Sequence, residues 1–178
     1  MLSHEQVLQV LAIPLVTEPL GLRDRAYLEM AYGTEMRRGE LHALELTDLD
    51  LNQGLVLVRK PKNMEQRTVP LTNWALHYLL RYLEEARPKL TSPLSLNALW
   101  LSETGRRMRL SGLGERFYKE YRAHKTLDFP FTLHQMRHAC ATHLLQAGAS
   151  IREIQQLLGH RELASTEIYT HLTPTRLR

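Results

Sequence analysis

Cysteine is nearly missing from this chain of 178 residues: Cys140 is the single one, which excludes a disulfide framework and the small secreted scaffolds that depend on one. Long apolar runs are missing as well. The longest, such as Leu55 to Val58, are short and bounded by charge, far below the roughly 20 apolar residues of a membrane-spanning helix. The first residues, Met1-Leu2-Ser3-His4-Glu5, contain neither a basic nor an apolar leader stretch, so a cytoplasmic protein with no membrane partner is expected. Repeats, low-complexity tracts and linker-like segments are absent too. What is present is an ordinary globular composition, 43% hydrophobic and 24% charged, in a length that suits one domain spanning 1–178.

Basic residues number 23 against 19 acids, a net charge of +4, which mildly favours an anionic partner. Their distribution says more. Between Thr104 and Arg137 lie Arg106, Arg107, Arg109, Arg116, Lys119, Arg122, Lys125 and Arg137, against only Glu115, Glu120 and Asp128. By itself such a run is as well explained by a solvated helix face.

The periodicity predicts a mainly helical domain with a small antiparallel sheet. Ser3 and Gln6 form a capping-box pattern ahead of a helix over 4 to about 12, with Val7, Leu8 and Leu11 inward and Pro14 beyond its end. Helices are expected over 22–33 and 38–45. Leu55 to Val58 and Arg67 to Leu71 read as two antiparallel strands around the polar stretch 59–66, a long hairpin loop carrying Lys60 and Lys62. Thr72 caps a helix over 73–86, and Ala98 to Leu101 offers a third strand. From Ser111 the chain reads as helical: a basic segment around 112–124, then a helix capped by Thr132 with Met136, Cys140, Leu144 and Ala147 inward and Gly148 as its stop, then a helix capped by Ser150 and Glu153.

On the helix that Thr132 opens, His134, Arg137 and His138 stand at i, i+3 and i+4, a polar face opposite the apolar stripe. His160 follows in Leu157-Leu158-Gly159-His160 and Tyr169 nine residues later. Singly, each has a plain structural explanation; together they suit attack on a phosphodiester. That reaction needs an oxygen nucleophile, cations around the non-bridging oxygens and an acid for the leaving oxygen. Arginine matches phosphate with a fork that never deprotonates. A tyrosine hydroxyl, with a pKa of about 10, is ionised to roughly one part in a thousand at neutral pH and so needs a base, which histidine provides.

These segments resemble the tyrosine site-specific recombinases, or phage integrases, and in spacing their Xer-type members. His134-Gln135-Met136-Arg137-His138 is similar to the family's HxLRH box, Leu157 to His160 to its LLGH, and Ser165 to Thr170 to its STxxYT segment. The intervals of 3, 23 and 9 residues from His134 through Arg137 and His160 to Tyr169 agree with Xer-type members. Arg37-Arg38-Gly39-Glu40-Leu41 resembles the RxSEL box, which assigns the first arginine to Arg37 rather than Arg38. Counting back from Val69-Pro70 places Lys62 on the family's lysine, with Lys60 the less favoured alternative. The resemblance runs from about Leu2 to Thr170. It implies that Tyr169 attacks the scissile phosphate to give a 3′-phosphotyrosine and a free 5′-hydroxyl, with no cofactor and no metal. It gives Arg37 and Arg137 the non-bridging oxygens, His160 a bond to the phosphate, His134 the role of base, and Lys62 that of acid. Glu40 buttresses the arginines and His138 sits beside the clamp. Arg116, Lys119, Arg122, Lys60 and Arg38 are expected to contact double-stranded DNA, with copies joining as a tetramer on it, in a bacterial, phage or mobile-element protein.

Three departures accompany the resemblance. The N-terminal clamp domain of most members is expected to be absent, the segment after Tyr169 is short, and Thr34-Glu35-Met36 replaces the usual TGL before Arg37. Two rival readings compete. A helix-turn-helix regulator would use Ala139 to Leu158, with Gly148 at the turn, but leaves Arg37, Lys62 and Tyr169 as coincidences. A metal hydrolase would use His134, His138, His143, His160 and His171, but lacks clustered carboxylates and an HExxH.

Overall fold

Ser3 opens α1 (His4–Leu11) with the reciprocal cap its sequence predicts: the Gln6 N–H donates to Ser3 Oγ at 3.1 Å and the Ser3 N–H to Gln6 Oε1 at 2.9 Å. Its inward side is Val7, Val10 and Leu11, so Val10 replaces the expected Leu8. The computed structural model describes residues 1–34, 36–59, 66–111, 126–150 and 152–154.

α2 (Pro19–Gly33) starts earlier than predicted, because Pro19 suits the first turn, where its missing N–H costs nothing. Every residue from Gly21 to Gly33 is buried, charged ones included. Arg23 donates from Nε and Nη2 to Asp24 at 2.8 and 2.7 Å and from Nη1 to the Leu101 carbonyl at 2.7 Å. Arg25 pairs with Glu29 at 3.0 Å and lies 4.1 Å from the centre of the Tyr78 ring. A Cβ on Gly33 would stand 2.9 Å from the side chain of Thr72, the residue that caps the helix beginning at Asn73, so the end of α2 presses on that cap.

After α3 (Arg38–His42) and a short 3-10 turn at Leu46–Asp48 come β1 (Leu49–Asp50), β2 (Leu55–Arg59) and β3 (Gln66–Pro70), an antiparallel sheet in the order β1-β2-β3. β2 and β3 pair from Leu55↔Pro70 to Arg59↔Gln66, as the hairpin pattern predicts. The third strand is β1, not Ala98 to Leu101. That segment makes only single bridges, Glu45↔Ala98 and Leu101↔Arg107, because it serves as core filling. Trp100 is wholly buried, stacked on Tyr82 at 5.4 Å and edge-on to Tyr27 at 5.1 Å, and donates its indole N–H to the Leu41 carbonyl at 2.8 Å. This bond pins the far end of α3. The predicted helix 73–86 is α4 (Asn73–Arg81), which continues through a wide turn at Tyr82–Ala86 into α5 (Arg87–Leu90).

α6 (Leu133–Gln146) has the predicted Thr132 cap, closed by Gln135, and ends before Gly148, whose φ of 95° is the left-handed conformation that glycine adopts without strain. Its buried side is Met136, Ala139, Cys140, His143 and Leu144; the expected Ala147 is exposed. The Ser150 and Glu153 cap is also formed. Two apolar clusters close on α2. One joins it to the sheet, α4 and Trp100; the other joins Leu28 and Tyr32 to α1, α6 and Phe131. Among the described residues no helix is long and apolar enough to cross a membrane.

A buried polar link joins α1, α2 and α6. The Tyr32 hydroxyl bonds His143 Nδ1 at 2.8 Å, and His143 Nε2 bonds the Leu2 carbonyl at 3.2 Å. A neutral ring protonated on Nε2 satisfies both, accepting from Tyr32 and donating to Leu2. Burial first, and then the facing His4 ring, hold the His143 pKa below the usual value, while the Leu2 carbonyl opposes them. With the folded pKa lowered, the unfolded chain takes up the proton first, so the link's contribution is complete above about pH 6.5 and drains as pH falls toward the folded pKa. His143→Gln is expected to lower the thermal midpoint at about pH 7.5 and to flatten, without abolishing, its fall towards about pH 5.5. An unchanged slope in a pH series of melts would contradict this account.

Candidate active site

Two arginines reach the candidate site from different elements. Arg37 is the residue that opens α3, just past the end of α2, and is exposed. Its backbone N–H donates to Glu40 Oε2 at 2.8 Å, which closes the first turn and sets the direction in which the Arg37 side chain leaves the helix. Glu40 makes a second set of bonds that the sequence reading did not foresee: Arg67 Nη1 and Nη2 donate to its two oxygens at 2.8 and 2.7 Å. Against the burial that opposes ionisation, these bonds and the Arg67 and Arg37 charges hold the Glu40 carboxyl below the usual range.

The strand parity that buries Val69 turns Arg67, two residues before it, to the same face of β3. That parity was the available signal. The other strand of the hairpin is anchored in the same manner: Arg59, the last residue of β2, pairs with buried Asp48 at 2.9 Å. Both strands of the hairpin are therefore tied by ion pairs to the segments that follow Arg37 in sequence.

Arg137 comes from α6, which packs against α2. The Thr132 cap fixes the phase of the helix so that Met136 and Cys140 face inward while His134, Arg137 and His138 lie on the other side. Arg137 is half-buried, and its Nε is enclosed with no hydrogen-bond partner among the described residues. His134 and His138 meet edge-on, with Nε2 to Nε2 at 2.8 Å and ring centres 4.2 Å apart. One of these nitrogens donates and the other accepts, so at least one ring is neutral. Burial first, and then the His134 and Arg137 neighbours, lower the His138 pKa. His138 is thus the hydrogen-bond partner of His134.

Arg38, expected to contact DNA, is exposed and gives one Nη2 bond of 2.7 Å to the Leu110 carbonyl. Arg107 leaves the basic run altogether. It reaches the His42 and Leu44 carbonyls at 3.4 and 3.3 Å and the Glu45 carboxylate at 3.2 Å, so its charge is used to hold the chain beyond α3. Lys60, Lys62, Arg116, Lys119, Arg122, His160 and Tyr169 lie outside the described residues, as does Glu35. Among the described residues no three His, Cys, Asp or Glu side chains cluster as metal ligands.

The sequence profile described as the phage integrase family matches residues 1–176. The chain belongs to the phage integrase family. It is 38% identical over 181 residues to tyrosine recombinase XerC of Pelotomaculum thermopropionicum, covering 99% of this chain and 58% of that protein. It is 39% identical over 177 residues to tyrosine recombinase XerD of Ralstonia nicotianae, covering 99% and 57%. The chain thus spans just under three-fifths of the length of these integrase-family relatives. Among solved structures, XerA recombinase superposes with a TM-score of 0.75 at 30% identity, over 99% of this chain and 62% of that one. XerH recombinase in a post-cleavage complex with a palindromic difH substrate superposes with a TM-score of 0.63 at 25% identity, over 98% of this chain and 49% of that one. The mainly helical fold with its small antiparallel sheet is that of the family, and a stand-alone helix-turn-helix regulator finds no support.

If the His134 and His138 rings share a proton as their contact indicates, His134→Ala removes one of the causes that depress His138 and its pKa moves up toward the ordinary histidine value. Titration of the ring resonances by NMR checks this. A His138 titration that His134→Ala leaves in place would show that the two rings do not couple.

Proposed function

We propose that this chain carries the strand-cleaving and strand-joining centre of a site-specific DNA recombinase that works through a 3′-phosphotyrosine intermediate. The observation that carries the reading is the arrangement of α6: one capped helix buries its apolar stripe and sets Arg137 and the His134/His138 pair together on its outer side, in the family's own HxxR order. Arg37, held at the start of α3 by Glu40, supplies the second fork.

In the proposed step the Tyr169 oxygen attacks the scissile phosphorus and the bond from phosphorus to the 5′-oxygen breaks. The tyrosine proton passes to the imidazole of His134, and Lys62 gives a proton to the departing 5′-oxygen, with Lys60 as the alternative donor. Arg37 and Arg137 bond the non-bridging oxygens, where negative charge grows in the transition state, and His160 adds a further donor. Arginine suits this task because its charge persists at every working pH. The phosphotyrosine conserves the energy of the broken ester, so a 5′-hydroxyl from another strand reverses the step and joins the new partner. No metal or cofactor enters this scheme.

The substrate is double-stranded DNA, a reading supported by the Xer-type relatives and by XerH on its difH substrate. Arg116, Lys119, Arg122 and Arg38 are assigned to its backbone and grooves. Exchange between two duplexes breaks four strands and requires four tyrosines, so four copies act together on DNA.

The test is covalent capture. A pool of nicked duplexes, randomised through the centre, is incubated with the chain in EDTA and resolved on a denaturing gel. The wild type should give a protein-DNA adduct, and Tyr169→Phe should bind the same DNA yet give none. An adduct that survives Tyr169→Phe, or one that EDTA abolishes, would overturn the assignment.

A further inference from the structure

Arg67 offers its fork to a carboxylate that stands beside the first arginine of the proposed clamp. We infer that Arg67 is a positioning residue: by occupying both oxygens of Glu40 it keeps that carboxylate from capturing the Arg37 guanidinium, which stays free for phosphate. The inference rests on the strand-transfer reading and adds to it a residue that touches neither DNA nor the reacting atoms.

Both oxygens of the carboxylate are engaged. Arg67 bonds Glu40 Oε1 and Oε2 at 2.8 and 2.7 Å, and Oε2 also accepts the Arg37 N–H at 2.8 Å. The Arg67 and Glu40 side chains are only 15% and 13% exposed, so their pairing is little screened by water. Arg37 lies three residues before Glu40 on the same turn and is exposed. Among the described residues, no ion pair involves the Arg37 guanidinium. Its charge nonetheless already acts on Glu40. Two guanidinium groups thus compete for one carboxylate, and the buried bidentate one wins because the fork matches both oxygens and has no water competing for it.

Without Arg67, Glu40 would remain a buried anion with Arg37 as its neighbouring cation. Arg37 would turn back onto Glu40, and a phosphate would lose one of its two forks. Arg67 also enters from β3, the strand on which the hairpin returns. The same ion pair therefore sets the hairpin's position against the turn that carries Arg37.

Arg67→Met keeps an unbranched apolar stem and removes the guanidinium with its charge. Its rate of adduct formation on the nicked-duplex pool should fall about a hundredfold, and Glu40→Gln/Arg67→Met, which has no carboxylate to capture Arg37, should regain about tenfold of that loss. A readout that needs no DNA accompanies the rates: the Arg37 Nε–Hε resonance, identified by its disappearance in Arg37→Lys. In Arg67→Met it should shift and exchange more slowly with water as the Arg37 to Glu40 pair forms, and in the double variant it should return to its wild-type position. An unmoved Arg37 resonance in Arg67→Met overturns the inference, whatever the rates. Should Arg67→Met fail to fold, Arg67→Lys retains a cation with only one point of attachment, and the same resonance should move part of the way; an unmoved resonance there overturns the inference equally. Absence of any wild-type adduct counts against the strand-transfer reading alone, since the resonance comparison is independent of DNA.

Discussion

A helix with no solvent face has to settle its own charges, and α2 does so with two ion pairs. Arg23 with Asp24 and Arg25 with Glu29 are drawn into the interior along with the apolar side chains around them. Each pair is satisfied further, Arg23 by the Leu101 carbonyl and Arg25 by the face of Tyr78, as buried charges must be if their desolvation is to be offset. Because α2 is fixed on all sides, whatever hangs from it is fixed too. Arg37 follows its end at the start of α3, and α6 with Arg137 packs along it. Two arginines a hundred residues apart in sequence are thereby referred to one rigid element.

Placement alone does not make an arginine available to a phosphate. An acidic side chain beside an arginine can neutralise it, and among the described residues three acids of the segment after Arg37 are each given another partner. Glu40 is held by Arg67, Asp48 by Arg59, and Glu45 by Arg107. The basic excess of the chain is thus divided. One share of the arginines meets carboxylates and backbone carbonyls, and among the described residues neither Arg37 nor Arg137 makes an ion pair.

The sequence made local features legible where one short-range rule governs them. The caps at Ser3, Thr132 and Ser150 form as written, because each depends on residues three apart. The hairpin of β2 and β3 and the inward face of α6 at Met136 and Cys140 follow from simple alternation and helical spacing. Features that depend on distant partners were not legible. β1 has only two residues and exists because β2 lies beside it, whereas Ala98 to Leu101 has strand-like composition but is claimed by the core. α2 carries charges at intervals that suggest an exposed side, and only its ion pairs explain why it has none. Arg107 read as surface charge, and its role appears only when the carbonyls beyond α3 are seen in front of it. In the candidate site, motif spacing singled out Arg37, His134 and Arg137. Glu40 was placed but its partner Arg67 was missed, since strand parity turns Arg67 inward without saying which carboxylate, 27 positions away, it meets.

The central claim is that Arg37 and Arg137 act on the negative charge of one phosphate. It is tested most directly by removing that charge from the DNA. Adduct formation by the wild type, Arg37→Ala and Arg137→Ala would be timed on a nicked duplex bearing either an ordinary scissile phosphate or a methylphosphonate, in which a methyl group replaces one non-bridging oxygen. On phosphate each alanine variant should be slower by about a hundredfold or more, and on the uncharged methylphosphonate that deficit should largely vanish. An equal deficit on both substrates would mean that the two arginines serve the fold or the binding of DNA elsewhere, and the clamp would have to be abandoned.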